Sequence, residues 1–283
     1  MIKRPKTTAA KTVNSDITIL LTNDDGITAE GIACLYNALS AYFSVVVAAP
    51  DRERSGIGHA FTFNRPLHYE KQRAANGLEG YVVSGTPVDC VKFAVSHLLP
   101  KRPDVVVAGL NCGENSGLSA FYSGTVAAAR EGAFWDIPSV AFSVCEEGER
   151  HMKAYAAVAA DILREIVAGE KRKKSHRVYY NVNFPHCAPR KSDGILVTTQ
   201  SMAFFDDRYK TVDVETHHTK KGFIIYGEKK DLEKGNSFDS RALMNGYITI
   251  TPLCFDATAY GALRGLRHIE RRYHPARIAG NGR

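Results

Sequence analysis

Short apolar runs alternate with apolar stripes spaced three and four residues apart over residues 16–168. The run Ile17 to Thr22 is brief and rich in β-branched residues, which predicts a buried strand. Ile32, Leu35, Leu39 and Tyr42 then form one face of a predicted helix. The same alternation continues with a strand at Phe43–Ala49 and a short strand at Tyr81–Ser84. A helix follows with its stripe at Val88, Val91, Val95 and Leu98. Asp104–Gly109 is the next strand, Val126–Phe134 a helix, and Pro138–Val144 a strand. Met152, Tyr155, Ala159, Ile162 and Ile166 mark a long amphipathic helix. Alternating β and α elements predict an α/β fold, a parallel sheet with helices on both faces.

The rhythm changes after Val178. Val178–Phe184, Ile195–Thr198, Phe223–Tyr226 and Tyr247–Thr251 read as strands separated by polar intervals. The polar stretch Phe204–Lys221 predicts a hairpin arm or a mobile loop. It contains His217 and His218, which would point to opposite faces of a strand and so would not share a metal. Ala257–Tyr273 predicts a basic helix, with fraying over 275–283. Residues 1–15 carry Lys3, Arg4, Lys6 and Lys11 and no acid, which reads as a disordered basic tail rather than a transit peptide. The remaining 16–283 reads as one domain, with a core over 16–185 and an appended arm and helix over 186–283.

Composition narrows the class. The 283 residues are 44% hydrophobic and 24% charged, ordinary for a globular protein. No apolar run approaches the ~18 residues of a membrane span, and no secretory h-region is visible. The formal charge of +7 gathers largely at Lys171–Arg177 and Arg264–Arg277. No nucleic-acid-binding module accompanies it, so nucleic acid is a minority reading. Cysteines at 34, 90, 112, 145, 187 and 254 form no CxxC pair, which argues against a zinc or redox motif. Free thiols in apolar surroundings fit a reducing cytoplasm.

The candidate chemistry sits at predicted strand ends, where open α/β sheets bind ligands. The first strand ends in Asn23-Asp24-Asp25-Gly26. Adjacent carboxylates repel, and a hard divalent cation would offset that repulsion; a solvated turn is the plainer reading. The second strand ends in a polar loop, Pro50 to His59, where Ser55 and His59 are candidates beside the plainer loop-hydroxyl and surface-histidine readings. Gly85-Thr86-Pro87-Val88-Asp89 carries strong helix-start signals: Thr86 as cap, Pro87 at the first position and Asp89 three residues after the cap. Its N-terminus offers an anion site. Asn111, after the fourth strand, offers a carbonyl oxygen to a hard metal. Ser123-Gly124-Thr125 opens a helix with hydroxyls and free N–H groups, read either as an ordinary cap or as a phosphate cradle. GxGxxG is absent after the first strand, which disfavours a nicotinamide cofactor.

Taken in order, TNDDG (22–26), APDRERSGIGHA (49–60), SGTPVDC (84–90), GLNCGENSG (109–117), YSGTVAAAREGA (122–133), NVNFP (181–185) and GYITITPL (246–253) resemble the SurE family of survival-protein nucleotidases. The resemblance spans about Ile17 to Leu253. It implies a Rossmann-like, three-layer αβα core with a C-terminal β-rich extension and an oligomerisation arm. It also implies a homodimer or tetramer with exchanged C-terminal segments. One divalent ion per subunit, Mg²⁺ or Mn²⁺, would be held by Asp24, Asp25, Ser55 and Asn111, with Asp24, Asp25 and Asn111 catalytic. The implied reaction is hydrolysis of nucleoside 5′-monophosphates, also 3′-monophosphates, and short polyphosphate in some members. Ser123, Gly124 and Thr125 would hold the phosphate, with Asn23, Gly85 and Thr86 completing the cradle, and His59 is the nearest candidate acid. The chain departs from the family at Leu118-Ser119-Ala120-Phe121, where acids are common. An aspartyl-phosphate phosphatase is disfavoured because the two acids are adjacent rather than spaced DxD. The alternative outside enzymes is a non-catalytic nucleotide or nucleic-acid binder using the basic C-terminal region.

Overall fold

The computed structural model describes residues 14–170, 177–214 and 221–272. The basic stretch 1–13, the charged segment 171–176, His217, His218 and the last residues, 273–283, lie outside the described residues.

Strand β1 (Asn14–Thr22) leads into α1 (Glu30–Leu39), and β2 (Phe43–Pro50) follows. A hairpin of β3 (Tyr69–Arg73) and β4 (Glu79–Val83) precedes α2 (Pro87–Phe93). Next come β5 (Val105–Cys112), α3 (Ser119–Tyr122), α4 (Gly124–Phe134), β6 (Ser139–Val144), α5 (Met152–Glu170) and β7 (Val178–Phe184). The later part holds β8 (Ile195–Val197), β9 (Phe204–Asp213), β10 (Lys221–Lys230), α6 (Asp239–Met244), β11 (Ile248–Cys254) and α7 (Tyr260–Arg272).

Nine strands form one sheet in the order β3-β4-β2-β1-β5-β6-β7-β11-β8. The run from β4 to β7 is parallel throughout, while β3 and β11 pair antiparallel with β4 and β7. The alternation of side chains along β1 explains the layers. Ile19 and Leu21 face one side, packing with Leu35 and Leu39 of α1 and Tyr155 and Leu163 of α5. Leu20 faces the other, with Val91 of α2 and Ala128 of α4. Helices therefore cover both faces of the parallel sheet.

Two differences from the sequence expectations, at β3 and at the end of β5, have physical causes, and one open alternative is decided. β3 is an exposed edge strand with no apolar position to mark it, apart from the half-exposed Tyr69. Of the two alternatives for the Phe204–Lys221 stretch, the hairpin arm is the one formed where it is described: strand β9 pairs antiparallel with β10 in a separate ribbon. β5 continues past Gly109 to Cys112, because after a register shift it pairs β6 again, Asn111 opposite Ser143. Gly109 is needed at the shift: its φ is +136°, and a Cβ there would lie 2.5 Å from the Phe142 carbonyl oxygen. Asn111 consequently stands on the sheet rather than in a loop.

The helix start at Thr86 forms as the sequence predicts. Asp89 N–H donates to Thr86 Oγ1 at 3.1 Å, and Thr86 N–H donates to Asp89 Oδ2 at 2.9 Å, a reciprocal capping box. All six cysteines are free; Cys90 is buried and Cys254 exposed.

Candidate active site

The end of β1 is the floor of the site. Asn23 and Asp24 are buried, and Asp25 is half-buried. Gly26 makes the turn at φ +92°, its Cα close under the Arg52 backbone. Asn23 Nδ2 donates to the Gly26 carbonyl at 2.8 Å and closes that turn. Its Oδ1 is buried with no hydrogen-bond partner.

Three neighbouring elements converge on this turn. Arg54 N–H donates to the Asp24 carbonyl at 2.7 Å, which brings the β2 loop and Ser55 against the acids. The start of α4 meets the Asp24 side chain: the Thr125 hydroxyl donates to Asp24 Oδ1. Gly124 sits so close that a Cβ there would lie 2.9 Å from Asp24 Cβ and 3.0 Å from its Oδ2. The end of β5 meets Asp25 through the Cys112 backbone N–H, beside Asn111.

The electrostatics of the two acids are unfavourable as they stand. Burial pushes the Asp24 carboxyl up, partly opposed by the Thr125 hydroxyl and the amides of Thr125 and Gly124. Asp25 is pushed up to about 7, by burial first and then by the charges of Asp24, Glu53 and Glu149. Among the described residues, no group of three or more His, Cys, Asp or Glu side chains is placed to hold a metal ion. A cation here would therefore draw on hydroxyl and amide oxygens as well as the two carboxylates. Those are available nearby. Ser55 is exposed, its hydroxyl now donating to Glu53 Oε1 at 2.7 Å. Asn111 donates from Nδ2 to the Gly113 carbonyl at 2.6 Å, which keeps its amide oxygen as an acceptor. A set of carboxylate, hydroxyl and amide oxygens suits a hard ion of the Mg²⁺ or Mn²⁺ kind.

The other candidates are divided. Ser123 Oγ accepts from Val126 N–H at 3.1 Å, so it caps α4. Its own amide is taken, donating to the Ser119 carbonyl at 3.2 Å, whereas Gly124 and Thr125 lie in the first turn of α4, where backbone N–H groups have no helical partner. Thr86 is occupied by capping, and its hydroxyl donates to the Ala60 carbonyl at 2.7 Å. Gly85 is fixed by Asp89, whose Cβ would lie 2.6 Å from an added Cβ. Asn23 presents an acceptor oxygen, which suits a cation or a water better than a phosphate oxygen that brings no proton.

His59 is held on both ring nitrogens. Arg130 Nε donates to Nδ1 at 3.0 Å, and Nε2 faces Glu131 Oε2 at 2.9 Å. An accepting Nδ1 places the neutral ring's proton on Nε2. Glu131 also accepts from Lys92 Nζ at 3.1 Å and Trp135 Nε1 at 2.9 Å. Burial alone would raise the Glu131 carboxyl, but the hydrogen bonds from His59 and Lys92 outweigh it and hold it below its ordinary value. This network clamps the loop that carries Ser55 onto α4. The sequence reading missed Glu131, and its signal was a lone acid in the Ala-rich, buried stretch VAAAREGA.

A model of the SurE family, "Survival protein SurE", matches residues 19–207. The chain belongs to the SurE family. It is 40% identical over 254 residues to the 5′/3′-nucleotidase SurE of Proteus mirabilis, covering 88% of this chain and 94% of that protein. It is 37% identical over 252 residues to the 5′-nucleotidase SurE of Flavobacterium psychrophilum, covering 88% of this chain and 96% of that protein. The crystal structure of SurE from Aquifex aeolicus is 35% identical and superposes with a TM-score of 0.75, covering 89% of this chain and 99% of that one. The Rossmann-like expectation and the family resemblance are thus both borne out. After Gly117, where the family resemblance implies acids, Ser119–Tyr122 forms α3, with Phe121 and Tyr122 exposed.

Proposed function

We propose that the protein is a metal-dependent phosphatase that hydrolyses nucleoside 5′-monophosphates, and 3′-monophosphates, to nucleoside and phosphate. The observation that carries this reading is the Asp24-Asp25 pair at the end of β1, pressed against the first turn of α4. Relatives bearing the nucleotidase name support the same class. Short polyphosphate is a further candidate substrate.

One divalent ion per subunit, Mg²⁺ or Mn²⁺, would be held by Asp24, Asp25, Ser55 and Asn111. When bound it supplies Lewis acidity to the phosphoryl oxygen and lowers the pKa of water. The chain itself then has four tasks. Asp24 and Asp25 hold negative charge at a fixed strand end. The amides of Gly124 and Thr125 support the Asp24 carboxylate, and the N-terminal end of α4 favours the phosphate's negative charge, as helix N-termini do. Gly124 keeps that approach open by having no side chain. The His59–Glu131 pair keeps the Ser55 loop in place. His59 is given this anchoring part rather than that of the proton donor, because both its nitrogens are engaged. Positioning and charge stabilisation supply most of phosphoryl-transfer catalysis, so no side-chain nucleophile is called for.

The exposed apolar residues of the β9–β10 ribbon, Tyr209 and Phe223 among them, and of α7, Leu263, Leu266 and Ile269, support a homodimer or tetramer. Among the described residues no helix is long and apolar enough to cross a membrane. The cytoplasm remains the compartment we assign, from the free thiols. A non-catalytic nucleic-acid binder is not favoured, since the relatives are named as nucleotidases.

The test is phosphate release from 5′- and 3′-nucleoside monophosphates with Mn²⁺, Mg²⁺ or EDTA, alongside Asp25→Asn. Metal-dependent release that disappears in the variant is expected. Unchanged release by Asp25→Asn would overturn the assignment. Calorimetric titration of Mn²⁺ into both proteins reads the metal site apart from turnover.

A further inference from the structure

Beside the acids lies a cavity of about 280 Å³ that the proposed reaction does not use. Arg52, Arg54 and Arg65 line it, together with Ser84, Gly85 and Thr86. No Asp or Glu is among its lining residues. Three arginines line one small space and no lining residue carries a carboxylate, which makes the space attractive to anions. Arg54 is partly turned aside, donating to Asp51 Oδ1 at 3.1 Å and to the Ser84 carbonyl at 3.4 Å, yet its Nε is buried with no partner. Arg52 and Arg65 make no ion pair among the described residues.

The wall opposite is rigid. Asp89 accepts from the Thr62 amide at 2.8 Å, the Thr62 hydroxyl at 2.7 Å and the Thr86 amide at 2.9 Å. The cavity also adjoins the candidate active site. Ile57 lines it, and the Ile57 Cγ2 would lie 3.1 Å from a Cβ on Gly124. The Arg54 amide holds the Asp24 carbonyl, and the Arg52 backbone covers Gly26. One loop therefore bounds both spaces.

We propose that this cavity is a second anion subsite, which receives a non-scissile phosphate of the substrate. The preferred substrates are then nucleotides with two separate phosphates, nucleoside 3′,5′-bisphosphates being the simplest. Guanidinium groups match phosphate oxygens in paired hydrogen bonds, which favours phosphate over a lone carboxylate. The proposal rests on the phosphatase reading only for what happens to the first phosphate.

The test begins with calorimetric binding in EDTA, where no metal-dependent turnover intrudes. Adenosine 3′,5′-bisphosphate and adenosine 5′-monophosphate are titrated into the native protein, into the double variant R52A/R65A and into R52K/R65K. A hydrogen bond to a charged group is worth about tenfold in affinity, so the native protein should prefer the bisphosphate by about tenfold or more. R52A/R65A should lose that preference while binding the monophosphate within about twofold of native. R52K/R65K should retain part of it, which guards against a misfolded double variant. Equal affinity for the two nucleotides in the native protein would overturn the proposal. So would equal loss of both in R52A/R65A, since the arginines would then serve a single phosphate. Phosphate release with Mn²⁺ separates the two readings. If neither nucleotide is hydrolysed but the binding preference stands, the phosphatase reading fails and the subsite survives.

Discussion

Replacing Glu131 by Gln tests whether the clamp on the Ser55 loop is electrostatic. The carboxylate is 2% exposed and faces three donors: His59 Nε2–H on one oxygen, Lys92 and Trp135 on the other. Gln offers one oxygen and one NH₂. If its oxygen faces Lys92 and Trp135, the NH₂ meets the His59 Nε2–H. Moving that proton to Nδ1 gives no relief, because Nδ1 faces the Arg130 N–H. If the oxygen faces His59, the NH₂ meets Lys92 and Trp135. Each arrangement orphans at least one buried donor, which costs about 1–3 kcal/mol, and the loss of charge assistance adds about 1 more. The Lys92 share is discounted, since that side chain is 41% exposed and can turn to water. The expected loss is about 2–3 kcal/mol in urea-induced unfolding at pH 7. The pH dependence follows from the depressed carboxyl. A group whose folded pKa lies below its unfolded value adds stability above the unfolded value and loses it as pH falls through the folded one. The gap between native protein and Glu131→Gln should therefore be full above pH 4.5, the ordinary value of this carboxyl, and close progressively below it. A Glu131→Gln protein within about 0.5 kcal/mol of native at pH 7 would refute the reasoning.

Gly124→Ala should abolish phosphate release while leaving a folded protein, because the added methyl would sit 2.9 Å from Asp24 Cβ; overpacking of this kind costs about 1–3 kcal/mol, read by thermal unfolding. Thr86→Ala removes one half of the capping box and should lower stability by about 1 kcal/mol in the same measurement. Mn²⁺ at about 100 times its Kd should stabilise the native protein by about 2.7 kcal/mol, seen as a rise in Tm that EDTA reverses, and Asp25→Asn should show no such rise.

What the sequence made legible was local. The capping box at Thr86–Asp89 is written in four consecutive residues, and it forms as read. The strand-end acids are marked by an apolar run that stops abruptly. What the sequence hid was the partner across each gap. Thr125 meets Asp24 from 101 residues away, and Glu131 meets His59 from 72 away, so neither spacing carries a pattern. Edge strand β3 escaped for a different reason: its exposed side chains show no period-two apolar signal. Asn111 looked like a loop residue because Gly109 ends the apolar run, yet β5 resumes its pairing beyond that glycine.

The acids held within this fold, buried or half-buried, separate into two kinds, and the separation is what distinguishes structure from function here. Asp89 accepts three hydrogen bonds, two from Thr62 and one from the Thr86 amide, and Glu131 accepts three from His59, Lys92 and Trp135. Asp239 accepts from the amides of Gly117, Ser201 and Ser240, which joins the later segment to the loop between β5 and α3. These three have their donors supplied by the chain. Asp25 has instead three acids around it, Asp24, Glu53 and Glu149, and the Cys112 amide in opposition. A fold that supplies so many donors to Asp89 and Glu131 had the means to satisfy Asp25 as well. Local conflict of this kind, in a protein otherwise consistent across its levels, marks the place where a ligand completes the structure.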